Sequence, residues 1–70
     1  MNEKLLEQAK LKVSDVRLLI NGASRRAAEI ARGGRPLIPT LPTDDIDPID
    51  IALQEIIEDK IEIVGPELEV

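Results

Sequence analysis

Apolar side chains recur every three or four positions in three stretches of this chain, which is the spacing of one face of an α-helix. The first stretch, residues 3–12, predicts a short N-terminal helix with charged residues around one apolar edge. The residues of that edge are Leu5, Leu6, Ala9 and Leu11. Together the three stretches predict a small all-α domain with a short N-terminal helix, a long central helix, an extended proline-rich connector and a second main helix.

The central helix has the clearest amphipathic pattern. Ser14 is its predicted N-cap, and Asp15 lies in the first turn, where the helix dipole favours a carboxylate. The predicted buried stripe consists of Val16, Leu19, Ile20, Ala23, Ala27, Ile30 and Ala31. Gly22 costs on the order of 1 kcal/mol relative to alanine, so we expect a close approach by another backbone there. Gly33 and Gly34 end the helix because glycine readily adopts the left-handed conformation of a helix stop.

The segment between Arg35 and Ile46 is predicted to be an extended connector. Its prolines fix backbone angles and lack amide donors, which disfavours a helix or a central strand; they are Pro36, Pro39 and Pro42. The same segment also contains the apolar residues Leu37, Ile38 and Leu41. A connector this apolar is expected to dock against a surface.

The second main helix has consistent start signals. Asp47 is the predicted N-cap, Pro48 occupies the first helical position, and Asp50 lies in the first turn. Its buried stripe comprises Ile49, Ala52, Leu53 and Ile56, widened by Ile51 and Ile57, while Glu55, Glu58 and Asp59 are expected to face water. Residues 61–64 then alternate like a strand until Gly65 and Pro66, and residues 65–70 are predicted to fray. We expect one domain over residues 1–70, with its core in residues 13–64.

Composition excludes most kinds of independent catalysis. The 70 residues include no histidine, cysteine or aromatic side chain, so the usual general base, thiolate metal ligands and large core side chains are missing. The hydroxyl-bearing residues have no histidine to activate them; they are Ser14, Ser24, Thr40 and Thr43. No apolar run approaches transmembrane length, and the chain is expected to be soluble and unprocessed. The default function is therefore interaction, with amphipathic surfaces buried against a larger protein.

Charge is divided unequally along the chain. Residues 1–35 have a net charge of +4 and residues 36–70 have a net charge of −9. A cation-binding loop is suggested by a run of acidic residues, Asp44, Asp45, Asp47 and Asp50. An EF-hand loop that began at Asp45 would need glycine at its sixth position and glutamate at its twelfth, but this chain has Asp50 and Ile56 there. Helix capping by Asp47 and Asp50 is therefore favoured. Residues 32–35 (Arg-Gly-Gly-Arg) resemble one RNA-binding unit, but the chain has no aromatic residues to stack on bases.

Two segments resemble a known family. Residues 24–34 combine a doubled arginine with a glycine-ended helix stop, and residues 47–56 form a capped helix after a Pro-Leu-Ile exit. Their order and spacing are similar to the omega subunit of bacterial RNA polymerase and its archaeal and eukaryotic counterpart, over residues 13–64. The family often has glycine after the later helix, where this chain has Asp59, and often an aromatic residue near Val16 and Arg17.

The resemblance implies a non-catalytic accessory subunit of DNA-directed RNA polymerase. Such a subunit binds the beta prime subunit, promotes its folding and polymerase assembly, needs no cofactor or metal, and reaches DNA only through the complex. It implies a cytoplasmic, nucleoid-associated protein without membrane contact. The implied partner-binding residues are Arg25, Arg26, Ala27, Ile51, Ala52, Leu53, Glu55 and Ile56. The alternative left open by the basic first half and acidic tail is a small nucleic-acid-binding or antitoxin-like regulatory module.

Overall fold

The computed structural model describes residues 1–40 and 45–63. Within these residues it contains three helices, α1 (Glu3–Lys12), α2 (Val16–Ala31) and α3 (Pro48–Ile57). Those described ranges contain no strand, so the all-α prediction is confirmed. The prediction of a strand at residues 61–63 is wrong. The predictions for Leu41, Pro42, Thr43, Asp44, Val64 and the tail 65–70 lie outside the described residues.

Short polar side chains begin the first two helices. The Asn2 side chain accepts hydrogen bonds from the backbone amides of Lys4 and Leu5, at 2.9 and 3.4 Å. The N-cap of α2 is Asp15, whose carboxylate accepts from the amides of Arg17 and Leu18 at 3.0 and 3.3 Å. The prediction of Ser14 as the cap is therefore wrong by one residue. An aspartate oxygen serves the same purpose, because it satisfies amides that have no partner within the helix.

The glycine pair ends α2 as predicted. Gly33 has a φ of +104°, in the left-handed region that favours glycine. Its amide donates to the carbonyl of Ile30 at 3.0 Å, and the amide of Gly34 donates to the carbonyl of Glu29 at 2.8 Å. This pair of bonds is a Schellman motif, and it satisfies carbonyls that the helix itself leaves unpaired.

Helix α3 begins at Pro48 after the predicted N-cap, Asp47. The Asp47 side chain makes no capping hydrogen bond, although its backbone carbonyl accepts from the amides of Asp50 and Ile51. The Asp50 carboxylate instead accepts from the backbone amide of Asn2 at 2.7 Å. The first turn of α3 is thereby joined to the beginning of α1.

Asp59 ends α3 in a conformation that glycine usually occupies. Its φ is +57°, its amide donates to the carbonyl of Ile56, and the amide of Lys60 donates to the carbonyl of Glu55. These bonds form a second Schellman motif. The backbone therefore keeps a glycine-type helix stop although Asp59 stands where the family often has glycine.

The core lies where α3 packs against both α1 and α2, which touch each other less. Its buried apolar residues are Ala9, Leu19, Ala23, Ala52, Leu53 and Ile56. Several predicted core residues lie outside it: Leu11 is 87% exposed, and Val16 and Ala31 are also exposed. Val13, which follows α1, packs against the core instead.

The segment after α3 returns across α2 at Gly22. A Cβ atom built on Gly22 would collide with Cδ1 of Ile63 and would lie 3.2 Å from its Cγ2. Ile61 and Ile63 both pack against the core. The close neighbour of Gly22 is therefore a side chain, whereas the sequence prediction had named another backbone.

Candidate functional site

An ion pair joins α2 to α3 at the edge of the core. Nε and Nη2 of Arg26 donate to Oε1 and Oε2 of Glu55 at 2.7 and 3.0 Å, so both carboxylate oxygens are engaged. The Glu55 side chain is 0% exposed and that of Arg26 is 16% exposed. The prediction that Glu55 faces water is therefore wrong. Two parallel bonds of this kind fix the relative position of the two side chains.

The same pair holds the beginning of the connector. The backbone amide of Leu37 donates to Oε2 of Glu55 at 2.7 Å, and Nη2 of Arg26 donates to the backbone carbonyl of Arg35 at 3.0 Å. Nη1 of Arg26 also lies 3.3 Å from a carboxylate oxygen of Glu29. Among the described residues, no buried polar side-chain atom lacks a hydrogen-bond partner. We call Arg26 and Glu55, which together hold the backbone of residues 35–37, the connector clamp.

The clamp shifts the ionisation of both partners. Burial alone would raise the pKa of Glu55, but hydrogen bonds from Arg26 and the Leu37 amide, with the guanidinium charge, lower this pKa below its ordinary value. The hydrogen bond to Glu55 raises the pKa of Arg26 against an opposing effect of burial. Both groups are therefore charged at neutral pH, and each compensates the other's burial.

The connector docks through its backbone more than through its apolar side chains. The amide of Leu37 and the carbonyl of Arg35 bond to the clamp, whereas Leu37 itself is 50% exposed. Ile38 is partly buried. Docking is confirmed for residues 35–38, but the predicted contribution of the apolar side chains is wrong for Leu37.

The residues implied as partner-binding divide into three groups. Five are buried on α3; they are Ile51, Ala52, Leu53, Glu55 and Ile56. Arg26 and Ala27 are partly buried, and Arg25 is exposed on α2. The structure thus brings Arg26 and Glu55 together and leaves Arg25 apart from them. Contact of these eight residues with a partner stays a prediction.

A signal for the buried pair was present in the sequence. Arg26 follows Ala23 by three positions and Glu55 follows Ala52 by three positions, so each charged residue lies at a core spacing of its helix. Two opposite charges at core spacings on separate helices indicate a buried ion pair. The contribution of the Leu37 amide had no such signal, because backbone groups are present at every position.

The outer face of α2 is basic. Arg17, Arg25 and Arg32 lie at spacings of eight and seven residues and are all exposed. Within residues 1–40 and 45–63, no group of acidic side chains is arranged to hold a metal ion. None of the helices described is long and apolar enough to cross a membrane.

Comparison with known protein families yields a match over much of the chain. A family model described as RNA polymerase Rpb6 matches residues 18–63, which is more than half of the chain. No curated protein and no solved structure gives a significant match. The matched range contains the whole connector clamp and α3, and it leaves out α1.

Proposed function

This chain belongs to the RNA polymerase Rpb6 family, and from that premise we propose that it binds the beta prime subunit of RNA polymerase and promotes its folding and assembly into the enzyme. The family makes the chain an accessory subunit of DNA-directed RNA polymerase. The identity of the partner and the assembly role are the proposal. The observation that carries it is the match over residues 18–63, which includes every residue of the connector clamp.

The distribution of burial supports different roles for the implied partner-binding residues. We propose that exposed Arg25 contacts beta prime directly, where it can pair with a carboxylate. The buried residues of α3 and the Arg26–Glu55 pair hold the framework in shape for that contact. In the proposed complex the chain reaches DNA only through the enzyme, and we expect it in the cytoplasm with the nucleoid.

The assembly role is tested by refolding beta prime. Denatured beta prime is diluted into buffer with the parent chain, with no addition, or with the Arg25→Glu variant. We expect the parent chain to raise the yield of soluble beta prime and to elute with it, and we expect Arg25→Glu to do so less well. Arg17→Glu makes the same charge change on the same helix face and serves as the matched control. Equal yields with and without the parent chain would contradict the assembly role.

A second candidate function is favoured by the basic face of α2. Arg17, Arg25 and Arg32 form an exposed row that could meet phosphates of a nucleic acid directly. Against this, the chain has no aromatic side chain to stack on bases and carries a net charge of −5. If the free chain binds duplex DNA with an affinity that falls steeply as salt is added, a nucleic-acid-binding module would be favoured over a polymerase subunit that binds beta prime.

A further inference from the structure

The beginning of the connector is held in one position by the clamp. Its amide at Leu37 binds a carboxylate that is fully buried, and its carbonyl at Arg35 binds the guanidinium paired with that carboxylate. Hydrogen bonds to charged groups are roughly twice as strong as those between neutral groups. Three consecutive residues outside any helix are therefore fixed against α2 and α3.

Fixing the backbone in this way places an apolar side chain in solvent. Leu37 is 50% exposed although its amide is turned inward toward Glu55. A leucine whose backbone is already ordered loses little further freedom when a partner covers it. Leu11 is even more exposed, at 87%, but it lies on the last turn of α1, before the family match begins.

The chain segment that carries Leu37 is basic. Residues 32–40 include Arg32 and Arg35, both exposed, and contain no acidic residue. A partner surface that covers this segment therefore meets guanidinium groups as well as the leucine side chain. The complementary surface is an apolar pocket with carboxylates around it.

We propose that Leu37 is an anchor residue that the connector clamp presents to an apolar, acid-rimmed pocket on the large subunit of RNA polymerase. This inference rests on the proposed function, because it takes the polymerase as the partner. It adds a residue and a pocket chemistry that the predicted partner-binding set lacks. Glu55 and Arg26 act here as positioning residues, since they hold the backbone that carries the anchor.

The test compares two leucine truncations in the full chain. Labelled parent, Leu37→Ala and Leu11→Ala chains are titrated with RNA polymerase core enzyme prepared without this subunit, and affinity is followed by fluorescence anisotropy. Burying the exposed half of Leu37 predicts that Leu37→Ala weakens binding by about five- to tenfold. Leu11→Ala, the matched control, is expected to stay within about twofold of the parent. Circular dichroism of each free chain checks that the helices are retained.

A second readout addresses the clamp itself. In the free parent chain the Leu37 amide should exchange slowly with solvent deuterium, because its acceptor is a buried carboxylate.

The charge of the partner surface is tested by Arg35→Gln in the same binding titration. This change should weaken binding and reduce its dependence on salt, because it removes one positive charge from the edge of the contact.

These measurements distinguish failure of the proposed polymerase binding from failure of the proposed Leu37 anchor. If the parent chain does not bind core enzyme, the proposed function fails and this inference fails with it. If the parent binds and Leu37→Ala binds equally well, the subunit assignment stands and the anchor is wrong. A Leu37 amide that exchanges as fast as in an unfolded chain overturns the claim that the clamp presents the anchor.

Discussion

Glu55 joins three parts of the molecule through one carboxylate. It lies on α3, accepts two hydrogen bonds from Arg26 on α2, and accepts a third from the Leu37 amide in the connector. Replacing both charged partners with apolar groups can be neutral in a protein, but removing one partner leaves the other charge buried and unpaired. Single substitutions at Glu55 are therefore more damaging than the loss of an exposed acid.

Glu55→Ala is expected to lower the free energy of unfolding by about 3–5 kcal/mol. The physical reason is that Arg26 and the Leu37 amide lose their shared acceptor. Urea denaturation followed by circular dichroism measures the change. Glu58→Ala removes an exposed carboxylate close by and should change stability by less than about 1 kcal/mol. Equal losses for the two variants would contradict the assigned role of Glu55.

The same residue makes stability depend on pH. The pKa of Glu55 is lowered by folding from an ordinary value of 4.5, so its contribution is complete above about pH 4.5 and is lost as pH falls through the lower folded pKa. We expect the stability difference between the parent and Glu55→Gln to shrink on acidification from about pH 6 to about pH 3. A difference that stays constant over this range would show that the carboxylate is not the titrating group.

At the scale of single residues, the sequence indicated which residues matter better than it indicated what they contact. The family resemblance selected both Arg26 and Glu55, whereas helical periodicity assigned Glu55 to the solvent face. Periodicity fails here because it assigns charged residues to water and does not register a partner 29 positions away.

Because Arg26 is paired with Glu55, changing both Arg25 and Arg26 to glutamate would not test partner binding alone. It would place a third carboxylate beside Glu55 and Glu29.

At the scale of elements, helix ends are set by local chemistry, and this is why their positions were largely predictable. Pro48 marks the beginning of α3, and Gly33 marks the end of α2. The choice between Ser14 and Asp15 as cap was not decided by residue type, because both are favoured at this position. Asp59 was unexpected as a helix stop because aspartate adopts the left-handed conformation less readily than glycine does.

Asp59→Gly is expected to stabilise the end of α3. Glycine relieves the strain of the positive φ, while the change also removes an exposed ion pair in which Nζ of Lys12 lies 2.9 Å from the Asp59 carboxylate. Asp59→Asn is the matched control, because it removes the same charge but keeps a Cβ atom at the positive φ. We expect Asp59→Gly to unfold at a higher temperature than Asp59→Asn, by the equivalent of about 0.5–1 kcal/mol. The reverse order in thermal unfolding would contradict strain at Asp59.

At the scale of the whole molecule, a small apolar core and the buried Arg26–Glu55 pair hold α1, α2, α3 and the beginning of the connector together. The core contains no aromatic side chain, so the free chain has little stability in reserve. Binding to a large partner adds stability by mass action, which suits a chain that works as a subunit. The all-α fold and the family were predicted from sequence, whereas the return of residues 61–63 over α2 was not, because it depends on a contact between Gly22 and Ile63.

Native mass spectrometry of RNA polymerase captured by the tagged full chain would show whether this chain is a subunit bound to beta prime. We expect one copy of the chain per core enzyme. On partial dissociation we expect a two-component complex of the chain with beta prime. Capture of no polymerase at moderate salt, or release of the chain only with other subunits, would contradict the proposed binding to beta prime.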